Sequence, residues 1–510
     1  MNIAHHIERG ARFFPNKEAL IFEGRSFSYK DLDRMANRIA NGLQGLGIER
    51  GDRVALFLPN IPEFVISYLG ILKLGAVVVS LNVMLKSEEV KFILHDCSAK
   101  ALITTEELCE HVPQAQLPEL KHVLIASGKA SQEIQLAQLM ESASPHARAV
   151  EMERDEPAAI VYTSGTTGFP KGATLSHGNV ISNIYAKNRC CRMHLDDRLL
   201  LYLPLFHCFG QNAILNAGLN ACATIVLQRR FDPEELLTTL LTDNVTMFFG
   251  VPTVFIRLLN MNMFGHLSTI RYYFSAAAPM PVEIVQKWQD KYGHAIHEGY
   301  GLTETSPFAS YNHDLQYKLG SIGTPIENVE MKIVNSDGLE LPPGELGEIV
   351  VRGPNVMLGY WNRPLETAQA IANGWFHTGD LGRMDEDGYF YIVDRLKDMI
   401  NVSGFKVYPA EVENVLYSHP AVAEVAVYGV PDPVKGEIVR ADIILQPSLQ
   451  VKEQDLMAFC AEKMANYKIP RAFQFVNSIP KNATGKVLKR HLRAASTPIR
   501  TTDLPTSVTV

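Results

Sequence analysis

The sequence predicts an α/β protein. A large N-terminal domain of layered sheets and helices, with a small β unit at its end, is followed by a small C-terminal α+β domain. Three observations predict this. From about residue 25 to 260, short apolar β-branched runs alternate with amphipathic segments. Near 320 the texture changes to alternating residues broken by turn signals, and beyond 400 a helix–strand pattern restarts on a smaller scale. Strands alternating with helices of ordinary length argue for parallel layers. At 510 residues the chain is also too long for one ordinary core.

In the first stretch RVALFLP, AVVVSLN, KALITT, AAIVYT, ATIVLQ and VTMFFGVP read as strands. YKDLDRMANRIANGLQGLG, EFVISYLGILKLG and EELLTTLLTDN have helical spacing. The most apolar run, residues 65–83, holds Lys73 and two glycines and reads as a buried helix followed by a buried strand, not a membrane span. IENVEMKIVNSDGLELPPGELGEIVVRG alternates between SDG and PPG turns, so it reads as a small antiparallel unit, with MDEDGYFYIVDR as a further hairpin. PAEVENVLYSHP and EQDLMAFCAEKM then read as helices, with VAEVAVYGVP and ADIILQP as strands. The expected division is 1–396, 397–494 and a Ser/Thr/Pro-rich tail, 495–510, expected to be disordered.

The composition is globular, 46% hydrophobic and 20% charged. A net charge of −7 gives no electrostatic reason to expect nucleic acid or an anionic membrane as partner. Seven scattered cysteines without a CxxC pair argue for reduced thiols in the cytoplasm, not a disulfide frame or a zinc site. MNIAHHIERGARFF lacks the apolar core of a signal peptide.

The stretch TSGTTGFPKG (163–172) follows an apolar strand. Gly165, Gly168 and Gly172 let a ligand approach the main chain, while Thr163, Ser164, Thr166 and Thr167 offer short donors and Lys171 a mobile charge. Such a loop suits a polyphosphate, yet its spacing is not the GxxxxGK[ST] of a P-loop. Six more segments follow in order: PLFHCFG (204–210), SAAAPM (275–280), HEGYGLTE (297–304), HTGD (377–380), DRLKDMINVSGFKVYP (394–409) and IPKNATGKVLKR (479–490). Taken singly each has a bland reading: a core histidine, a strand-to-helix turn, a glycine-rich turn, capping carboxylates, a solvated lysine.

Together, in this order, they resemble the adenylate-forming superfamily, which includes acyl- and aryl-CoA synthetases, peptide-synthetase adenylation domains and firefly luciferase. The resemblance runs from FSYKDL (27–32) to GKVLKR (485–490). It implies a two-step reaction. A carboxylate attacks the α-phosphate of ATP to give an acyl-adenylate and pyrophosphate, and a thiol then displaces AMP. By resemblance the 163–172 loop holds the β- and γ-phosphates, Thr303 contacts the α-phosphate and Glu304 is the Mg²⁺ carboxylate. Tyr300 lies on adenine against Ala277–Ala278, Asp380 accepts the ribose hydroxyls with Arg395 nearby, and Lys486 bridges carboxylate and α-phosphate. The small domain is expected to be mobile, turning about Lys397 so that Ser403 and Gly404 meet the pantetheine arm and Lys406 the nucleotide of coenzyme A. His207 and Phe209 match the gate between acyl pocket and thiol tunnel, and Phe209 and Gln211 are expected to line the substrate pocket. SAAAPM carries alanine where many members carry glycine.

Peptide-synthetase domains place an aspartate at the position of His207 to pair with an α-ammonium; FHCFG does not, so an acyl or aryl acid is expected. The small residues of QNAILNAGLNA permit an alkyl channel. A medium- to long-chain fatty acid is the first expectation and an aryl or arylalkanoic acid the second. Coenzyme A is the expected acceptor, with a carrier-protein phosphopantetheine as the alternative, and a homodimer is compatible with the resemblance. A kinase or ATPase would instead release ADP.

Overall fold

The computed structural model describes residues 1–128, 133–163, 170–259, 261, 267, 269–447, 449–482 and 485–495. Among these, strands assemble into four sheets. The nine-stranded sheet is parallel through its centre, where Thr224–Leu227, Arg198–Leu201, Met247–Gly250, Tyr272–Ser275 and Ile296–Tyr300 lie side by side. The eight-stranded sheet runs parallel through Pro157–Thr163, Val77–Ser80, Arg53–Phe57, Ala101–Thr104 and His122–Ile125. Lys171–Ser176 then turns back antiparallel to Pro157–Thr163, with Lys171 opposite Thr163.

The all-apolar strands follow from burial on both faces. In the eight-stranded sheet Val54, Leu56, Val78, Ala101 and Ile103 face the main core, while Ala55, Phe57, Val77, Val79 and Leu102 face a second core beneath the helix Ser87–Asp96. The helix Tyr29–Gly45 opens on a capping box in which the Asp31 N–H donates to Ser28 Oγ and the Ser28 N–H to Asp31 Oδ2, both at 3.1 Å. Residues 65–83 form the end of the helix Pro62–Leu74, a left-handed Gly75 cap and the strand Val77–Ser80, as their composition predicts. Lys73 on that helix is fully buried and lies 2.8 Å from Glu8 and 2.7 Å from Asp33, so two carboxylates satisfy it. Among the described residues, no helix is long and apolar enough to cross a membrane.

The segment after 326 is the expected antiparallel unit, built on Glu330–Val334, Gly347–Arg352, Trp375–Met384 and Phe390–Arg395. A turn over Leu396–Met399 leads into the last sheet, whose hairpin Ile400–Val402/Phe405–Val407 pairs with Gly436–Leu445. That sheet has its own core, including Val412, Leu416, Val425, Ile443, Leu456 and Cys460. It meets the rest of the molecule where Gly485 lies against Thr253 and Val251, and Arg493 pairs with Asp398 of the joining turn at 3.5 Å. A groove of about 500 Å³ separates Ile256, Leu259 and Ile284 from Tyr417 and Val422. One expectation is corrected. HEGY is not part of a turn but the buried strand Ile296–Tyr300, and only GLTE leaves the sheet. Most of the predicted tail, 496–510, lies outside the described residues.

Candidate active site

The parallel strands deliver the site at their carboxyl ends, where ligands gather in open α/β sheets. Tyr300 ends the strand Ile296–Tyr300, and its hydroxyl donates to Asp380 Oδ2 at 2.8 Å. Asp380 faces Arg395 in the register of two antiparallel strands, and Arg395 Nε lies 3.0 Å from Asp380 Oδ1. Three elements thus converge on one buried carboxylate, and burial beside it pushes the Tyr300 phenol above its ordinary range. Beyond Tyr300 the chain must turn tightly. A Cβ on Gly301 would lie 1.7 Å from the Pro307 carbonyl oxygen, so only glycine fits. On the facing turn Ala277 adopts φ +73°, the left-handed conformation usually given to glycine, beside a half-buried Ala278.

The next turn carries Thr303 and Glu304, both buried. Thr303 Oγ1 is 3.4 Å from Cys208 Sγ, which ties this turn to the histidine segment. Glu304 Oε1 accepts from the Tyr360 hydroxyl at 2.9 Å, and Lys171 Nζ lies 5.3 Å from the Tyr360 ring centre. Tyr360 is held by pairing with Ala173 on the strand Lys171–Ser176. Lys171, at the end of the glycine-rich loop, is thus linked to Glu304 through Tyr360, and Thr163 Oγ1 donates to the Lys171 carbonyl at 3.4 Å. Ser164, Gly165, Thr166, Thr167 and Gly168 lie outside the described residues.

His207 accepts from the Phe209 N–H at 3.2 Å through Nδ1, which leaves the proton of its neutral ring on Nε2. Burial, and then the nearby Lys486 charge, pull its pKa down to about 4. Lys486 itself enters from the last sheet on a loop closed by its N–H to Asn482 Oδ1, 2.8 Å. Burial, then the Arg395 charge, bring its pKa down to about 7, with Asp380 opposing the shift. Burial raises the Cys208 thiol to about 12. Phe209 opens a π-helix, Phe209–Asn216, and packs edge-on against Phe274 and Phe308 at 6.2 and 6.1 Å between ring centres. Gln211 points elsewhere, donating to Ser80 Oγ at 2.8 Å and to the Leu205 carbonyl.

Thr303, Glu304, Tyr300, Asp380, Arg395, His207 and Lys486 thus come together. Ser403, Gly404 and Lys406 do not join them. Ser403 and Gly404 form a two-residue hairpin turn with φ of +52° and +91°, bonded to Lys435 and Asn401 of their own unit, and Lys406 is exposed. Lys397 is exposed on the turn between the units.

Two family models match: "AMP-binding enzyme" over residues 7–361 and "AMP-binding enzyme C-terminal domain" over 411–486. The chain belongs to the AMP-binding enzyme family. It is an AMP-forming acyl-CoA ligase, an acid–thiol ligase that uses ATP and coenzyme A, with the Mg²⁺ general to its family. It is 36% identical to a long-chain-fatty-acid–CoA ligase of Bacillus subtilis (strain 168), over 94% of this chain and 92% of that one. It is equally 36% identical to a feruloyl-CoA synthase of an Amycolatopsis species, over 95% and 97%. Its fold superposes with TM-score 0.92 on the anthranilate CoA ligase AuaEII in complex with anthranoyl-AMP, 32% identical, with 97% of each chain covered.

Two contacts of this ligase's site escape the sequence motifs. Tyr360 lies in GYW, far from Glu304 in sequence, and Cys208 is hidden between the histidine and the gate phenylalanine. Their only sequence signal is proximity to a motif. For Mg²⁺, no cluster of three or more His, Cys, Asp or Glu occurs among the described residues. Glu304 fits the ion nonetheless: Tyr360 occupies Oε1, and the carboxylate would supply one oxygen ligand to Mg²⁺, which ordinarily takes one or two carboxylates together with phosphate oxygens.

Proposed function

We propose that the ligase activates an aryl or arylalkanoic acid and transfers it to coenzyme A. The observation that carries this reading is the wall beyond His207. Phe209, Phe274 and Phe308 pack mutually edge to face, Phe274 and Phe308 at 5.1 Å, and the rings close over Gly299, where a Cβ would lie 2.2 Å from Phe274. Three crossed rings favour a flat aromatic body over a long flexible chain. A fatty acid is the second reading, supported by the Bacillus relative.

Within this reading Asp380 and Arg395 bind the ribose, and Tyr300 and the Ala277–Ala278 turn hold adenine. The 163–172 loop with Lys171 takes the β- and γ-phosphates. Glu304 holds Mg²⁺, which neutralises phosphate charge when bound. Thr303 and Lys486 place donors where charge gathers as the carboxylate attacks the α-phosphate. Neutral His207 presents Nε2–H beside the gate. The unit from 397 onward then turns about Lys397, withdrawing Lys486 and presenting Ser403, Gly404 and Lys406 to coenzyme A. The test is pyrophosphate release with Mg·ATP across benzoate, cinnamate, octanoate and palmitate, with and without coenzyme A. Steady CoA-dependent turnover with the aromatic acids supports the reading. Turnover with octanoate and palmitate alone replaces it by the fatty-acid reading, and a single turnover unaffected by coenzyme A points to a carrier protein.

A further inference from the structure

The helix His177–Cys190 holds a second fully buried lysine, treated differently from Lys73. Lys187 is 3% exposed, and its Nζ has no hydrogen-bond acceptor among the described residues. The Phe249 ring centre lies 4.3 Å from it. A desolvated cation–π contact returns less than removing an ammonium from water costs. The nearby Asp197 is already engaged by Arg271 at 2.6 and 2.8 Å and by Thr246. Where this fold buries a lysine for structure alone, as with Lys73, it supplies carboxylates.

The position of Lys187 relative to the acid is set by two independent features. Asn183, one helical turn earlier on the same face, donates to the Phe308 carbonyl at 2.7 Å. That face therefore looks onto the aromatic wall. Strand alternation places Phe249 and Phe274 on one side of the nine-stranded sheet as register partners, ring centres 5.9 Å apart. From the gate, rings succeed one another from Phe209 to Phe274 to Phe249, and the series ends at the Lys187 ammonium.

We infer that Lys187 determines specificity at the far end of the acyl pocket, donating to an oxygen that the acid carries opposite its reacting carboxylate. This rests on the aryl reading above. The substrate class is an aromatic acid with a distal hydroxyl, ether, carbonyl or second carboxylate. The amine is soft as well as buried: burial draws its pKa down to about 8, against the raising influence of Cys191 and Asp197.

The experiment compares kcat/KM for benzoate with 4-hydroxybenzoate, and cinnamate with 4-hydroxycinnamate, in wild type, Lys187→Met and Lys187→Gln. A donor built for a substrate oxygen discriminates by about tenfold or more against the analogue lacking it. Wild type should favour each hydroxylated acid by that ratio. Lys187→Met should bring the ratio to about one while leaving the parent acid and the KM for Mg·ATP unchanged, and Lys187→Gln, which keeps a donor, should retain part of it. Equal use of both acids by wild type overturns the inference, as does a proportional loss with both acids in a variant that melts normally. If Lys187→Met does not fold, the wild-type ratio and Lys187→Gln decide. If only alkyl acids react, the aryl reading has failed, and octanoate against 8-hydroxyoctanoate then tests Lys187 separately by the same ratios.

Discussion

Lys486 carries the most finely balanced charge in the site. Burial and the Arg395 charge bring it to about 7, so the empty enzyme loses this charge as pH rises through neutrality. Because kcat/KM reports the free enzyme, the rate constant for pyrophosphate release should fall on the alkaline side of about pH 7. In Lys486→Arg, whose guanidinium stays charged, that limb should vanish; its persistence would assign the titration to another group. Lys486→Ala should lose about 10²–10³-fold in adenylation yet still convert supplied acyl-adenylate and coenzyme A to thioester. An unchanged pyrophosphate rate in that variant would remove the lysine from the mechanism. Tyr360 acts at one remove, by fixing the Glu304 carboxylate. Tyr360→Phe should raise the Mg²⁺ concentration needed for half-maximal rate by about tenfold, as losing a partner of a metal carboxylate does elsewhere. A magnesium titration with identical midpoints in both proteins would show that the bond orients nothing. His207 and Lys486 were legible as residues, because each stands in a motif with a chemical purpose. Tyr360 was not, because a contact between residues 304 and 360 depends on how an edge strand docks.

Among elements, the turn after Ile296–Tyr300 shows how a motif and its backbone can be read differently. The glycines of HEGYG look like turn residues, yet Gly299 lies within a strand beneath two rings. Only Gly301 is required by the turn itself. Gly301→Ala would drive a methyl into the Pro307 carbonyl, and forced overpacking of this kind costs about 1–3 kcal/mol or more. The melting temperature should fall by several degrees for that cost, and a variant that melts like wild type would mean that the turn opens freely. The alternating strands and most helices of the two large sheets were legible because each is covered on both faces or striped on one. The π-helix Phe209–Asn216 was not, since its small and amide residues read equally well as an ordinary packed helix.

At the scale of the molecule, the last sheet is a separately cored unit joined through the Leu396–Met399 turn. It is held in the present arrangement by Gly485 against Thr253. The Lys397 N–H carries no hydrogen bond among the described residues, so proline there removes none. Lys397→Pro should therefore keep this arrangement and its adenylation rate while blocking the turn that thioester formation needs. Measuring the two half-reactions separately checks this, and equal loss of both would indicate general misfolding. No local pattern announces how two separately cored units are placed, so the expectation of a turn about Lys397 comes from the family resemblance alone.

The thiol of Cys208, in contact with Thr303, has a consequence for fidelity. An acyl-adenylate is an indiscriminate acylating agent, and a thiolate beside it would trap the activated acid on the enzyme itself. Burial raises its pKa to about 12, so the Cys208 thiol stays protonated at neutral pH. With the acyl-adenylate placed as proposed, the site would keep a sulfur atom beside it and still leave it for an incoming thiol. On this reading self-acylation is suppressed by burial of the thiol, with the Glu304 charge acting in the same direction.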